Sequence, residues 1–163
     1  MTKIGLLSDT HGYIHPKLCD FFNPCNEIWH AGDIGSIEAL NYLKNLKTFR
    51  GVFGNIDDTN IRTQLPEFNQ FTCEDVSVLI THIGGYPGKY NRKALQQINQ
   101  LKPRLFIAGH SHILKVIHDK SHNLLHINPG AAGRQGLHQL ITMVRFDIEG
   151  NQIMNLEIFE SSK

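Results

Sequence analysis

The sequence predicts an α/β fold built on a pair of sheets, and three observations carry that prediction. Up to the run ending at Ala108, short apolar runs alternate with helical patterns. Beyond it, strand-like runs follow one another through turns. Five of the earlier runs stop at or just before an Asp, Asn or His. The first part of the chain is therefore expected to pair in parallel and the last part largely antiparallel.

Lys3-Ile4-Gly5-Leu6-Leu7-Ser8 reads as a buried strand that delivers Asp9 at its C-terminal end. Pro16 to Phe22 suits a short helix, and Glu27-Ile28-Trp29-His30 a second buried strand stopping at Ala31-Gly32-Asp33. From Ser36, placed as N-cap, apolar groups at 37, 40, 43 and 46 describe a helical stripe. Thr48 to Phe53 then runs as a strand into Gly54-Asn55. Phe68 to Thr72 and Val76 to Thr81 read as strands around a Glu74-Asp75 turn, the second ending at His82. A glycine-rich stretch, Gly84 to Gly88, leads to a helix over Arg92 to Leu101, closed by Pro103. Leu105 to Ala108 ends at Gly109-His110-Ser111-His112, and Lys115–His118, Leu124–Ile127, Gln139–Phe146 and Ile153–Phe159 complete the strands.

At 163 residues the length suits one domain, 1–163, and 40% apolar against 19% charged residues excludes disordered and collagen-like chains. Sixteen Lys and Arg against 15 Asp and Glu leave +1, a balance in which nothing suggests a surface built to coat nucleic acid or an anionic membrane, and any nucleic acid partner would be met locally. The unusual count is ten histidines, so their placement carries the information. Cys19, Cys25 and Cys73 are odd in number and lack CxxC spacing, which argues against a disulfide framework. The first apolar run reaches Asp9 too soon for a signal-peptide core or a membrane span, and a cytoplasmic setting is expected.

The strand ends place Asp9 with His11, Asp33, Asn55, His82, and His110 with His112 in loops that, in an open α/β sheet, converge beyond the carboxyl ends of the strands. Each fragment alone is commonplace, and a lone Gly-Asp or Gly-Asn is usually a turn. Together they supply two carboxylates, one amide oxygen and four imidazoles. That set suits two divalent metals of the manganese, iron, zinc or nickel type, joined by a shared carboxylate. Two such ions can clamp the attacking and leaving oxygens of a phosphoryl centre.

Asp9-x-His11, Gly32-Asp33, Gly54-Asn55, His82 and Gly109-His110-x-His112 resemble the signature of calcineurin-like metallophosphoesterases, over nearly the whole chain. The short loops and Gly54-Asn55-Ile56-Asp57 resemble its small bacterial and archaeal phosphodiesterase subgroup. The resemblance implies a four-layer α-β-β-α sandwich of two mixed sheets with a dinuclear site at the strand C-terminal edge. Carried over by position, Asp9, His11, Asp33 and His112 hold the first metal, and Asp33, Asn55, His82 and His110 the second. Asp33 is the bridge, and Asp33 and Asn55 are the implied catalytic residues. The implied cofactor is two divalent ions per chain, manganese foremost, with zinc, iron or nickel as alternatives. The implied reaction is phosphodiester hydrolysis through a hydroxide bridging them.

One departure bears on mechanism: larger relatives place a histidine after the Gly-Asn pair to assist the leaving group, and here stands Ile56. Without a positioned acid, which is worth typically 10²–10⁴-fold, the rate should depend steeply on leaving-group pKa. Two dications, two carboxylates and one hydroxide sum to one positive charge, which matches a diester better than a monoester dianion, with Arg62 and Arg134 able to alter that balance. The remaining histidines carry less. His30 is read with equal weight as an orienting partner and as a structural strand-end residue. His15, His118, His122, His126 and His138 are expected in surface or packing roles, and Asn128-Pro129-Gly130 as a turn. Ile83 to Tyr90 suits either a loop over the substrate or an ordinary connection.

The expected substrate is a small phosphodiester, with no membrane partner and no charge signal for nucleic acid. Near-zero net charge permits a homodimer or homotetramer. The competing function is a non-catalytic interaction scaffold, because a eukaryotic retromer subunit resembles this small fold with part of the metal set lost. Phosphomonoesterase or nuclease activity on the same metals is a further alternative.

Overall fold

The structure, a computed structural model, describes residues 1–163. In chain order it runs β1 (Thr2–Leu7), α1 (Leu18–Phe22), β2 (Glu27–His30), α2 (Ile37–Leu46), β3 (Thr48–Gly51), α3 (Thr59–Arg62), β4 (Phe68–Cys73) and β5 (Val76–Thr81). It continues through β6 (Gly85–Tyr86), β7 (Lys89–Tyr90), α4 (Arg92–Leu101), β8 (Leu105–Ile107), β9 (Leu114–Asp119), β10 (Leu124–Pro129), β11 (Leu140–Glu149) and β12 (Gln152–Ser162). No helix is long and apolar enough to cross a membrane.

Two five-stranded sheets, in the orders β12-β11-β1-β2-β3 and β4-β5-β8-β10-β9, form the frame. Their layering follows from strand alternation, since successive side chains point to opposite faces. In β1, Ile4 and Leu6 join the apolar cluster between the sheets, with Trp29, Val78, Ile80, Leu105, Ile107, Val144 and Phe146. Leu7 and Ile28, on the other face, pack with Leu18 and Phe22 of α1 and Leu43 of α2. On the far side of the second sheet, Leu79, Phe106 and Leu124 pack with Ala94 and Ile98 of α4. The result is a four-layer α-β-β-α sandwich, as expected. Gly5 has a packing reason: a Cβ there would stand 2.7 Å from the Phe22 ring, so the glycine lets α1 lie directly on β1.

The helical stripe from Ser36 becomes α2, whose inward residues are Ala39, Leu40 and Leu43, and Ser36 Oγ accepts from Ala39 N at 3.2 Å as its cap. The expected division into a parallel front and an antiparallel back needs correction. Both sheets are mixed, with parallel pairs β1–β2, β2–β3, β5–β8 and β8–β10, while antiparallel partners flank them. The early pair β4–β5 is antiparallel because a two-residue turn joins it. The late strand β10 is parallel to β8 because β9 lies between them in sequence and outside them in space. The stretch from Ile83 to Tyr90 contains a small hairpin, β6–β7.

Candidate metal centre

All seven candidate residues stand just beyond strand C-terminal ends: Asp9 and His11 after β1, Asp33 after β2, Asn55 after β3, His82 after β5, and His110 and His112 after β8. The structure brings them to one rim as two groups. Ligand-type atoms of Asp9, His11 and His112 lie within 4.8 Å of one another, and so do those of Asp33, His82 and His110. Asn55 Oδ1 adjoins the second group at 3.0 Å from His82 Nε2. Asp33 Oδ2 faces both groups, 3.1 Å from His82 Nε2 and 3.6 Å from His11 Nε2, and Asp9 Oδ1, seated in the first group, also comes within 3.9 Å of His82 Nε2.

The backbone is bent sharply to achieve this. Nine non-glycine residues have positive φ, and Asp9, His11, Asp33, His110 and His112 are five of them. Such conformations persist only where surrounding contacts over-determine them. Here the β1 and β2 loops are stitched together by Asp9 N to Gly32 O at 3.0 Å, His11 N to Asp33 O at 3.0 Å and Gly12 N to Ile34 O at 2.7 Å. The β2 and β3 loops are joined by Asp57, whose Oδ2 accepts from Ile34 N at 3.2 Å and Gly54 N at 2.8 Å while Oδ1 accepts from Gly35 N at 2.8 Å. Gly54 is required by close approach, because a Cβ there would collide with Asp33 Oδ1 and N. Likewise a Cβ on Gly109 would collide with Ser8 Oγ.

Hydrogen bonds also aim the side chains. Asp9 Oδ2 accepts from Ser8 Oγ at 2.5 Å and His110 N at 3.1 Å, leaving Oδ1 toward His112 Nε2 at 3.1 Å. Asp33 Oδ1 accepts from Ile56 N at 3.0 Å, which leaves Oδ2 for the two groups. His82 Nδ1 donates to the Ala31 carbonyl at 2.8 Å, which fixes the ring so that Nε2 points toward Asp33 and Asn55. Burial works to raise Asp9, but the His112 hydrogen bond, the His82 charge and Ser8 outweigh it and hold the carboxyl below its ordinary value. Asp33 is held low in the same way, burial being outweighed by His82, Ile56 N and His11. Burial disfavours a charged His82, yet Asp33 and Asp9 reverse that and raise it.

The donor set fits a pair of divalent metals. Imidazole and carboxylate oxygen are the borderline ligands such ions take. His11 Nε2 is buried in the rim with no hydrogen-bond partner, a state that costs free energy unless a further group meets it.

Several supporting residues lie outside any motif spacing. His30, fully buried and pushed down to about 3 by that burial, is neutral. Its Nδ1 accepts from Gly32 N at 3.1 Å, so Nε2 donates to Thr10 Oγ1 at 3.0 Å, which passes a bond to Ile34 O at 2.9 Å. His30 thus ties the β1 and β2 loops together and makes no hydrogen bond to a candidate ligand side chain. Asn128 is more than a turn residue: its Nδ2 donates to Gly109 O at 3.0 Å and Ser111 Oγ at 3.1 Å, bracing the His110–His112 loop. His138 packs edge-on against His112, centroids 5.0 Å apart, and donates from Nε2 to Gly133 O at 2.8 Å. His122 pairs with Asp119 at 2.8 Å, and His126 stacks on Phe106, both away from the rim. Ile56 is 45% exposed and carries no proton donor.

Comparison with known proteins agrees with this geometry. The model of the calcineurin-like phosphoesterase superfamily domain matches residues 2–151. A probable metallophosphoesterase of Methanocaldococcus jannaschii is 30% identical over 135 residues, covering 78% of this chain and 67% of that protein. Another, from Methanothermobacter thermautotrophicus, is 30% identical over 139 residues, covering 78% of this chain and 76% of its own length. The crystal structure of Chaetomium thermophilum Vps29 shares the fold, with a TM-score of 0.76, 16% identity and 100% of both chains covered. With two groups of metal-competent side chains meeting at one carboxylate, a sandwich that places them on its strand ends and a family match over nearly its whole length, this chain belongs to the calcineurin-like phosphoesterase superfamily, a family of metal-dependent phosphoester hydrolases.

Proposed function

We propose that this protein is a metal-dependent phosphodiesterase. The observation that carries the reading is the placement of Asp33 Oδ2 between two ligand groups in which every position keeps a ligand-competent residue. In this reading Asp9, His11, Asp33 and His112 hold one cation, and Asp33, Asn55, His82 and His110 the other. Asp33 is the shared ligand, and manganese is the first candidate among the metals this donor set accepts. When bound, such a pair supplies Lewis acidity toward phosphoryl oxygens and toward water.

The chain's own contribution is positioning. Ser8 Oγ and His110 N fix Asp9, Ile56 N fixes Asp33, and Ala31 O sets the tautomer of His82, so little reorganisation is left for the reaction. Neither residue that follows the Gly54-Asn55 pair is placed to protonate the leaving group: Ile56 is apolar, and both oxygens of Asp57 already accept backbone N–H bonds. This favours esters whose leaving groups depart unaided, and the charge balance at the site favours diesters.

Metal-stripped protein should be assayed on bis(p-nitrophenyl) phosphate with manganese, zinc, iron and nickel restored singly, and p-nitrophenyl phosphate alongside. Metal-restored cleavage of the diester is the expected result. Faster cleavage of the monoester with every metal would replace diesterase by monoesterase. Two ions bound per chain with neither ester cleaved would favour the interaction scaffold.

A further inference from the structure

We propose that a cavity beside Asn55 and His82 is a second anion subsite, and that the substrate is a phosphodiester carrying a second phosphate on one arm, received by Arg62. The inference rests on the hydrolase reading above and deepens it. The cavity encloses about 300 Å³ and is lined by Phe53, Arg62, Phe68 and Lys93 together with the two rim residues Asn55 and His82. That volume is at the small end of ligand sites and accommodates one arm of a small ester.

Arg62 is the central observation. Its Nε donates to Asp57 O at 2.7 Å, and its Nη2 donates to Asn55 O at 3.2 Å and Gly54 O at 3.4 Å. The guanidinium carbon stands 4.7 Å from the centroid of the Phe53 ring. The guanidinium is therefore held in one orientation on one side, while none of its partners is a carboxylate. A cation fixed by neutral carbonyls and left without a counter-charge is prepared for an anion. Its remaining nitrogen, Nη1, keeps its two N–H donors for phosphate oxygens. The anchoring carbonyl of Asn55 belongs to a candidate metal ligand, so an anion on Arg62 would lie close to the scissile phosphate.

The other charged groups of the cavity agree. Lys93 Nζ pairs with Glu67 at 3.2 Å, but the two side chains are 69% and 50% exposed. Such a pair is worth little and opens readily to a competing anion. Two cations against one carboxylate leave the cavity net positive. The Phe53 and Phe68 rings supply apolar surface for the organic part of the arm.

The test compares p-nitrophenyl thymidine 5′-phosphate with the same ester carrying a 3′-phosphate, on manganese-loaded protein. The parent should prefer the ester with the second phosphate in kcat/KM by about tenfold or more, the range of one charge-assisted hydrogen bond. The preference should shrink as salt rises. Arg62→Gln should bring the ratio of the two esters close to one, and Arg62→Lys should keep part of it. The ratio is taken within each variant, so a general loss of activity does not enter. Equal rates in the parent, or a preference that survives R62Q, would overturn the inference while leaving the hydrolase reading intact.

If neither ester is cleaved with any metal, the hydrolase reading fails and binding decides the subsite. Thymidine 3′,5′-bisphosphate should shift the Arg62 Nε–H resonance of zinc-loaded protein at concentrations where thymidine 5′-monophosphate does not. Equal response to both ligands would overturn the subsite.

Discussion

Removing the Asp57 carboxyl group tests whether the candidate site is held by a brace between loops. Asp57→Ala leaves Ile34 N and Gly54 N, both on buried residues, without acceptors, and frees Gly35 N on an exposed one. An unsatisfied buried donor costs about 1–3 kcal/mol, so the two together predict a loss of about 2–6 kcal/mol. That is a large share of the roughly 5–15 kcal/mol that holds an ordinary domain folded. Asp57→Asn should cost less, about 1–2 kcal/mol, because its amide oxygen can take the place of Oδ2 and keep both buried donors paired. Urea unfolding of metal-free protein at pH 7, with equal slopes required for the comparison, measures both variants. D57A within about 0.5 kcal/mol of the parent, or D57N as damaging as D57A, would refute the bracing argument. A kinetic arm separates bracing from proton donation. D57N loaded with metal should show the same steep dependence of rate on leaving-group pKa as the parent. A steeper one would mean that Asp57 had been supplying the proton.

The other predictions concern the rim and one buried histidine. Asp33→Asn should reduce binding from two ions per chain to at most one, read by calorimetry or elemental analysis; unchanged stoichiometry would remove Asp33 as the bridge. Gly54→Ala forces a methyl group into Asp33, and turnover on bis(p-nitrophenyl) phosphate should fall about 10²-fold, the scale of a 1 Å misplacement. Burial pushes His126 down to about 4 from 6.5, so as pH falls the unfolded chain takes up the proton first. Its contribution is complete above pH 6.5 and is lost as pH drops from 6.5 to 4, by about 3 kcal/mol at most. Replacement by Phe should remove that segment of the stability–pH curve, and an unchanged slope would contradict it.

What the sequence discloses is what lies near each strand end. Asp9-x-His11, Gly32-Asp33 and His110-x-His112 are visible because an apolar run, a bend and a ligand follow within a few residues. The α2 stripe is visible because its period is local. Asp57 is not visible in this way: its acceptors serve Ile34 and Gly35, 23 and 22 positions away. Asn128 reaches Gly109 across 19 residues, and His30 reaches Thr10 across 20. No spacing rule connects such pairs. The direction of pairing was hidden for the same reason, since the place of β10 beside β8 depends on β9 stepping outside both. Short α3 has no apolar period to reveal it and exists because Asp58 caps Ile61 N at 3.2 Å.

The strained backbone at the candidate ligands explains why the braces are so many. A left-handed conformation costs a non-glycine residue about 1–2 kcal/mol, so five such candidate ligands would cost about 5–10 kcal/mol, eased where Asp and His tolerate the region. A cost of that size rivals the net stability of a domain, and unsupported loops would relax. The offset comes from contacts that need no ion: the β1–β2 loop bonds, the Asp57 clasp, the His30–Thr10–Ile34 chain, Asn128 under the last loop, and Gly133 N on Asp9 O at 3.0 Å. Most are anchored at the ends of β1, β2 and β8, whose C-terminal residues are buried, β8 along its whole length. A site held so firmly by the frame has little freedom to adapt to different substrates. Discrimination must then fall to exposed groups at its margin. There the chain sets Arg62 on the Phe53 ring beside Asn55, and Arg134 on the Tyr13 ring beside the Asp9–His11 loop, at 4.7 and 4.4 Å. These two stacked guanidinium groups flank the ligand rim, and substitutions there should alter which ester is cleaved before they alter whether metal is held.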